Sequence, residues 1–339
     1  MKTPKLKFIK NLNQLQKTEW GGVDKTVVFY DAYLTQIPGF KAWIRQFPFQ
    51  IALKAGESLK TLKSYEQTVV RLQKWSLSKD TTFVAIGGGS VGDFVGFLAS
   101  TYHRGKKLIQ IPTTWLSAID SAHGGKNGLN ISGVKNQIGT FYPAEQIYFV
   151  QSILFFQKRP QVEDAFGEIF KIAIINKPQI LKQVEISPSF IWDHLKSLVS
   201  AKYQVVQQDP HEITGYRQIL NLGHTVGHFF EAHHKISHGR SVYFGLIFAL
   251  RFSLQKGFID TKDFYQIIKN LFLLESYKDY QKYLKVSRST FEKYLSADKK
   301  KVSSNKLQFI FIKKLGHVVR SPVTLDEIYR ELVRQQKEL

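Results

Sequence analysis

The sequence predicts an α/β protein made of an open α/β domain followed by a mainly helical domain. Four short apolar runs alternate with stretches of helical spacing early in the chain, at 25–30, 49–57, 81–90 and 107–115. This alternation is typical of strand–helix–strand units in an open sheet. Longer segments with the apolar spacing of helices follow, at 163–176, 191–208, 217–235, 240–255, 262–273 and 325–337. An alternating stretch at 306–319 predicts a pair of strands among these helices.

The boundary between the two domains is expected in a short proline-containing stretch. "FQKRPQVED" at 156–164 interrupts the apolar periodicity, and proline commonly marks a break between regular elements. The sequence therefore predicts an α/β domain at 1–160 and a mainly helical domain at 161–339.

Composition narrows the classes of function. The 339 residues include no cysteine, which excludes disulfides and leaves His, Asp and Glu as ligands for a transition metal. The formal net charge of +21 makes anionic partners plausible, but the basic residues are scattered and match no nucleic-acid-binding motif. No apolar window has the length of a membrane span or the form of an export signal. We therefore expect a cytoplasmic protein that binds neither nucleic acid nor membrane.

A glycine-rich turn follows one of the predicted strands. "FVAIGGGSVGD" places Gly87, Gly88, Gly89 and Gly92 where a strand passes into a helix. Without β-carbons, the backbone N–H groups can approach a pyrophosphate at the N-terminus of the helix. The stretch favours a nucleotide site, although it is not the strict G-x-G-x-x-G pattern and glycines also form plain tight turns.

A polar segment at 120–139 is rich in glycine and asparagine and lacks apolar periodicity, which predicts a structured loop. It carries Lys126, Asn130, Lys135 and Asn136, whose side chains suit an anionic, hydroxylated ligand. A solvated surface loop is the alternative interpretation, and the sequence leaves both open.

Acidic and imidazole groups on the predicted helices suggest a metal site. Glu168 and Lys171 share a helical face among apolar residues, which fits either a surface ion pair or a buried metal-ligating carboxylate. Five of the ten histidines lie within residues 220–239, and His224 and His228 are four residues apart. Two imidazoles and one carboxylate make an open zinc site, but spacing alone does not select the two histidines.

Taken in order, these motifs resemble those of the 3-dehydroquinate synthases, over roughly residues 50–315. The most specific are "GGGSVGD", "TYHRG", "IPTTWLSAIDSAHGGKNGLN", "GEIFK", "LNLGHTVGH" and the later "SHG". The resemblance implies an α/β domain that binds NAD and a helical domain that binds a divalent metal, zinc or cobalt. It also implies a homodimer that converts 3-deoxy-D-arabino-heptulosonate 7-phosphate into 3-dehydroquinate and phosphate, the second step of the shikimate pathway to aromatic amino acids.

The resemblance further implies roles for individual residues. It matches Glu168, His224 and His238 to the metal ligands, and His228 to a neighbour that supports them or acts in catalysis. Substrate-binding positions match Asp120, Lys126, Asn136, Lys171, Lys202, Arg217, Asn221 and one of Lys299 or Lys300. Arg104 matches an arginine that reaches the active site of a neighbouring subunit. Cofactor-binding positions match Glu57, Lys60, Gly88, Gly89, Ser90, Val91, Gly92, Asp93, Thr113, Thr114, Lys126 and Lys135.

Some residues depart from the family pattern. After His238 the family usually has an acidic residue, whereas this chain has Arg240, which puts a cation near the expected metal site. The loop "NISGVKN" and the segment "FFQKRPQVEDAFGE" also differ from their family counterparts. Such departures would be explained by an altered substrate.

Three alternatives remain open. Another sugar-phosphate cyclase on the same scaffold would share NAD, the metal and its ligands, although Asn136, Lys202 and Arg217 favour a substrate with a carboxylate. A metal-dependent polyol dehydrogenase would not need the phosphate-binding lysines. A degenerate paralogue with a binding role would fit Arg240, but not the retention of all three metal ligands.

Overall fold

The computed structural model describes residues 3–15, 17–274, 277–296, 301–303 and 306–338. The chain forms two compact units, Met1–Gln161 and Val162–Leu339. The first unit contains, in order, β1 (Lys5–Ile9), β2 (Thr26–Asp31), α1 (Phe40–Ile44), β3 (Phe49–Leu53), α2 (Leu62–Gln73), β4 (Thr82–Gly87), α3 (Gly89–Thr101), β5 (Lys107–Pro112), α4 (Trp115–Ile119), β6 (Lys126–Ile131), β7 (Val134–Phe141), β8 (Gln146–Val150) and α5 (Gln151–Leu154).

The second unit is mainly helical. Its elements are α6 (Arg159–Asn176, which starts just before the unit boundary), α7 (Pro188–Gln208), α8 (His224–His234), α9 (His238–Gln255), α10 (Thr261–Leu271), α11 (Tyr277–Leu284), α12 (Arg288–Ser296), β9 (Lys301–Ser303), β10 (Lys306–Lys314), β11 (His317–Thr324) and α13 (Leu325–Lys337). The last three strands form an antiparallel sheet in the order β11-β10-β9, so the predicted strand pair is present. Among the described residues, no helix combines the length and apolar character needed to cross a membrane.

Six strands of the first unit form a parallel sheet in the order β1-β8-β5-β4-β2-β3. Every residue of β4 and β8 is buried, which is typical of parallel strands covered on both faces. Large apolar side chains, among them Trp20, Phe40 and Trp43, pack into one core with residues of these strands. The predicted open α/β fold followed by a helical part is therefore confirmed, and β1 and β8 extend the sheet beyond the four predicted strands.

The polar segment at 120–139 is largely a β-hairpin, so the prediction of a loop is wrong there. β6 and β7 pair antiparallel, and Ser132 and Gly133 close the turn with φ of 50° and 79°. Nearly all of β7 is exposed, and an exposed strand needs no alternating apolar residues. That is why apolar periodicity could not indicate it.

The predicted helix at 217–235 is also shorter than expected. A 3-10 turn spans Tyr216–Asn221, and α8 begins only at His224. Gly223 separates the two with φ of 78°, a left-handed conformation that glycine adopts without the penalty of a β-carbon. Apolar spacing continues across this break, and so the sequence pattern concealed it.

Candidate metal and cofactor sites

Three predicted metal ligands of the second unit converge. Glu168 lies on α6, and His224 and His238 are the first residues of α8 and α9. Glu168 Oε1 is 3.5 Å from His224 Nε2 and 3.6 Å from His238 Nε2, and one ligand atom from each residue lies within 4.8 Å of the others. Zinc–ligand distances of about 2.0–2.2 Å place tetrahedral ligand atoms about 3.4 Å apart. The three side chains are therefore spaced for one divalent ion.

Both histidines are held with Nε2 facing Glu168. Nδ1 of His224 lies 3.2 Å from the carbonyl oxygen of Leu222, to which it can only donate. Nδ1 of His238 lies 3.0 Å from Glu231 Oε2 and donates to that carboxylate. A hydrogen bond at one ring nitrogen fixes the tautomer and leaves the other nitrogen to bind a metal. The two imidazoles are thus oriented as ligating histidines usually are.

The environment of Glu168 shows that a cation fits between the three ligands. Glu168 is fully buried, and Lys171, one helical turn later, forms an ion pair with its Oε2. Its Oε1, which faces the two imidazoles, has no hydrogen-bond partner among the described residues. Burying a carboxylate oxygen without a partner is unfavourable. A divalent ion between Glu168 and the two imidazoles would compensate for that burial.

In the metal-free protein His238 carries a proton on each ring nitrogen. Burial by itself lowers the pKa of His238, but the carboxylates of Glu168 and Glu231 on either side raise it to about 10. Because a metal binds the neutral imidazole, an ion entering this site displaces the proton from Nε2.

Glycines allow α6, α8 and α9 to approach closely enough to bring the ligands together. A β-carbon on Gly239 of α9 would lie 1.6 Å from the carbonyl oxygen of Asp164, and one on Gly167 of α6 would lie 1.9 Å from the carbonyl oxygen of Gly239. A β-carbon on Gly245 of α9 would lie 1.9 Å from the carbonyl oxygen of Gly223. The helix backbones touch directly at these points, so no larger residue fits without moving a helix.

We expect Gly239→Ala to disrupt the metal site, although position 239 is not itself a ligand. The added methyl group must push α9 away from α6, and overpacking of this kind destabilises by about 1–3 kcal/mol or more. His238 adjoins the displaced residue, so metal affinity should fall together with the thermal midpoint. Zinc content and thermal unfolding measure the two effects, with Gly92→Ala on α3 as a control, because Gly92 has no positive φ and a β-carbon there would lie 3.4 Å from its nearest neighbour, Oε1 of Gln110. Unchanged zinc affinity in Gly239→Ala would contradict the argument.

In the first unit, the glycine-rich turn links β4 to α3 as predicted. The residues Gly87, Gly88 and Gly89 take no positive φ, so they are needed for space and not for an unusual backbone conformation. A β-carbon on Gly87 would lie 2.5 Å from Cβ of Val91, and one on Gly88 would lie 3.2 Å from Cγ2 of Thr114. The turn therefore presents bare backbone at the N-terminus of a 13-residue helix, where anionic groups bind well.

Several predicted cofactor residues meet beside this turn. Lys60 Nζ, which is buried, lies 2.7 Å from Asp93 Oδ2 and 2.7 Å from Asn136 Oδ1. Ser90 Oγ accepts a hydrogen bond of 2.9 Å from the backbone N–H of Gly56. Burial raises the pKa of Asp93, and the neighbouring Lys60 only partly offsets this. The structure thus joins Lys60, Asp93 and Asn136, three positions predicted from separate motifs.

The hairpin contributes to the same group. Asn130 Nδ2 donates to Glu57 Oε2 over 2.8 Å, and Asn130 Oδ1 accepts from the backbone N–H of Asn136 over 3.0 Å. Asn136 itself has φ of 54°, a conformation in which asparagine is over-represented. Asn130, noted in the sequence only as part of a polar segment, therefore fixes the positions of two predicted site residues.

Other predicted residues of the first unit take no part in these hydrogen bonds. Thr114 Oγ1 caps α4 by accepting from the N–H of Ser117 over 3.1 Å, and the N–H of Thr113 donates to the carbonyl oxygen of Gly87 over 3.0 Å. Asp120 follows α4 and, through its charge, contributes to the raised pKa of Asp93. The remaining three predicted positions are exposed, and they are Arg104, Lys126 and Lys135.

The predicted substrate residues of the second unit are mostly buried cations. Lys171, Lys202 and Arg217 are all buried, which is unusual for these residue types. Arg217 donates from Nη1 to the carbonyl oxygen of Pro210 over 2.9 Å, and Asn221 is half-buried at the end of the 3-10 turn. Lys299 and Lys300, the candidates for a further substrate lysine, lie outside the described residues.

Arg240, which departs from the family pattern, is held by aromatic rings. Its guanidinium carbon lies 5.7 Å from the ring centroids of Phe244 and Tyr283, within the range of cation–π contacts. Its backbone N–H donates to Asp164 Oδ1 over 3.0 Å. The charge expected near the metal ligands is thus stacked on aromatic faces.

Sequence reasoning missed two acidic residues that support the ligands. Glu231 accepts a hydrogen bond from His238, and Asp164 accepts from both Ser237 and Arg240 at the start of α9. Helical spacing was an available signal, because Glu231 lies seven residues after His224 and three after His228, on one face of α8.

Comparison with known families matches both units. The protein-family model described as "3-dehydroquinate synthase N-terminal" matches residues 50–163. The family model described as "3-dehydroquinate synthase C-terminal" matches residues 165–301. A 3-dehydroquinate synthase from Lysinibacillus sphaericus is 33% identical, over 97% of this chain and 94% of that protein. Other curated 3-dehydroquinate synthases, 31–39% identical, match over 57–80% of their own length.

Solved structures share the fold. A 2-deoxy-scyllo-inosose synthase complexed with carbaglucose-6-phosphate, NAD+ and Co2+ is 23% identical, with a TM-score of 0.84 over 96% of this chain and 95% of that one. A 2-epi-5-epi-valiolone synthase from Streptomyces hygroscopicus with NAD+ and Zn2+ bound is 19% identical, with a TM-score of 0.84 over 100% of this chain and 98% of that one. At these identities the likeness shows the fold alone.

Proposed function

The chain belongs to the 3-dehydroquinate synthase family, and from this premise we propose its reaction and the residues that carry it out. It is an NAD- and metal-dependent carbon–oxygen lyase that eliminates phosphate. Its substrate is 3-deoxy-D-arabino-heptulosonate 7-phosphate and its products are 3-dehydroquinate and phosphate, in the shikimate pathway of aromatic amino acid biosynthesis. The metal is Zn2+ or Co2+.

The observation that carries this proposal is the arrangement around Glu168. Oε1 of this fully buried carboxylate lies 3.5 Å and 3.6 Å from the Nε2 atoms of His224 and His238 and accepts no hydrogen bond from the described residues, while Oε2 is paired with Lys171. Each of the two histidines donates its other ring N–H to an oxygen, as metal ligands do. These three side chains would hold the ion and leave its remaining position to the substrate.

Bound NAD would supply reversible hydride transfer at a ring carbinol, and a bound metal would supply polarisation of the oxygen on that carbon. The residues proposed to hold NAD are the turn from Gly88 to Asp93, together with Glu57, Lys60, Thr113, Thr114, Lys126 and Lys135. Proton movement is the proposed role of His228. Its ring is exposed and its centroid lies 5.3 Å from that of His224, so it can exchange protons with substrate beside the metal ligands.

The basic side chains have the task of fixing an anionic substrate. Lys171, Lys202 and Arg217 are buried cations, and charge-assisted hydrogen bonds from such groups can hold a carboxylate or phosphate group in a fixed position. Asp120, Lys126, Asn136 and Asn221 are proposed to orient the hydroxyl groups and the phosphate, and Lys299 remains a proposed substrate ligand. Holding both ends of the substrate favours elimination and ring closure by orientation.

We place the enzyme in the cytoplasm as a homodimer. The lack of cysteine fits a reducing compartment. Arg104, proposed to act at the site of the partner subunit, is exposed on a turn where His103 and Arg104 have φ of 46° and 66°. Such left-handed residues cost about 1–2 kcal/mol each, so the turn that carries Arg104 is strained.

Purified protein with the heptulosonate phosphate, catalytic NAD and zinc or cobalt should release phosphate and form 3-dehydroquinate in equal amounts. A chelator and the variant His224→Ala should each abolish both products, because both remove the metal. His211→Ala is the matched control, since His211 is outside the proposed ligand set. Turnover of a different heptulose or hexose phosphate instead would identify a sister cyclase, and no turnover with any of them would indicate a degenerate paralogue.

A further inference from the structure

His238 faces a carboxylate at each of its ring nitrogens. Nε2 lies 3.6 Å from Glu168 Oε1, and Nδ1 lies 3.0 Å from Glu231 Oε2. His228, one helical turn before Glu231 on α8, has its ring centroid 6.3 Å from that of His238. The ligand atoms of His228, Glu231 and His238 all lie within 4.8 Å of one another. Two sets of potential metal ligands therefore share one imidazole.

We propose that His228, Glu231 and His238 form a second divalent-metal site, which takes up zinc in excess and inhibits the enzyme. Two imidazoles and a carboxylate are ligands that zinc prefers. His228 and Glu231 lie three residues apart on one face of α8, so a single ion can contact both. The site is open to solvent, because His228 is exposed and the His238 side chain is 34% exposed.

The second ion binds more weakly than the first. A neutral imidazole offers one lone pair, so an ion at Nδ1 of His238 must replace the proton that is donated to Glu231 while Nε2 serves the first ion. Two divalent cations on opposite sides of one ring also repel each other. The first site, built around the buried Glu168, therefore fills before the second.

Occupation of the second site would remove two functions at once. It engages His228, the proposed proton carrier, and it ends the hydrogen bond by which Glu231 orients His238. The inhibition rests on the function proposed above, whereas the number of bound ions does not. The two can be measured separately.

The test is a zinc titration of the metal-free full-length protein by equilibrium dialysis, with bound zinc counted per chain. The wild type is expected to bind a second ion beyond the first. His228→Gln should weaken that second ion at least about tenfold while the first is retained, whereas Glu231→Gln should weaken both ions, because Glu231 also orients His238 for the first. His233→Gln, on the same helix but in neither ligand set, should leave both ions in place.

A single zinc ion per chain in the wild type would overturn the proposal, as would a second ion that persists unchanged in both variants. If Glu231→Gln does not fold, the His228→Gln titration decides alone.

A second measurement follows enzyme activity. Wild-type turnover should fall over the zinc range in which the second ion binds, and inhibition in Glu231→Gln should shift to at least about tenfold higher zinc. If the protein shows no turnover, the proposed function fails, but the number of zinc ions bound per chain still tests the second site.

Discussion

Replacing Glu168 by glutamine is expected to remove tightly bound zinc and to lower turnover at least about a thousandfold. Polarisation of a substrate oxygen by a metal contributes several kcal/mol to catalysis, and each 1.36 kcal/mol is a factor of ten in rate. Glutamine keeps the shape of the side chain but removes the negative charge that faces both imidazoles and Lys171. Zinc content after dialysis and turnover at saturating substrate measure the two effects.

The control for this prediction lies on the same helix. Glu163→Gln makes the same chemical change on α6, five residues earlier and outside the ligand set, so it should retain zinc and turnover. A folded Glu168→Gln protein that keeps one tightly bound zinc ion and its activity would show that Glu168 is not a ligand.

The second large effect is expected from Lys60→Met in the first unit. Lys60 is buried and its Nζ lies 2.7 Å from Oδ2 of Asp93, whose side chain is 21% exposed. Removing one partner of a buried ion pair lowers the free energy of unfolding by about 3 kcal/mol, because the other charge remains in a poorly solvated position. NAD affinity should fall as well, since Lys60 also fixes Asn136. Chemical unfolding and NAD titration measure the two losses.

The destabilisation by Lys60→Met should depend on pH. Burial holds the pKa of Asp93 above its ordinary value of 3.8 in the folded protein, and loss of the lysine raises that pKa further. Below the unfolded pKa, Asp93 is protonated in both states and its charge does not enter the free energy of unfolding. Above it, the unfolded chain releases the proton more readily than the folded variant does, so the variant loses stability relative to wild type as pH rises.

The defect should accordingly be smaller near pH 3.5 than at neutral pH. Replacing both residues, with Lys60→Met and Asp93→Leu together, should recover much of the lost stability, since an apolar pair can substitute for a buried ion pair. Equal destabilisation at both pH values would show that Lys60 acts through packing and not through its charge.

Motif order was enough to predict the family, the reaction class and the fold, and all three are confirmed. The reason is that each motif has a local physical requirement. A strand that runs into "GGGS" needs bare backbone, as the contact of Gly87 with Val91 illustrates, and the long apolar spacing of 240–255 reflects a helix that is buried nearly all round, α9. The roles of individual site residues and the two-domain boundary stay predictions.

The remaining features depend on contacts between distant segments. The hydrogen bond between Glu231 and His238 requires α8 and α9 to fold against each other, and the stacking of Arg240 on Tyr283 joins residues 43 positions apart. Neither follows from local spacing. The hairpin of β6 and the exposed strand β7 was missed for a different reason, since its polar residues are ordered by hydrogen bonds such as that between Asn130 and Asn136.

The direct backbone contacts of α6, α8 and α9 have a consequence for how a metal is taken up. Because carbonyl oxygens and glycine α-carbons set the helix spacing, the ligand positions are defined when the helices pack, without an ion to gather them. Glu168, His224 and His238 therefore lose their conformational entropy during folding and not when the metal binds. Uptake of metal starts from a preorganised pocket. Withdrawing the ion should leave a folded apoprotein that can be reloaded with zinc or cobalt, in contrast to small zinc domains that unfold when their metal is removed.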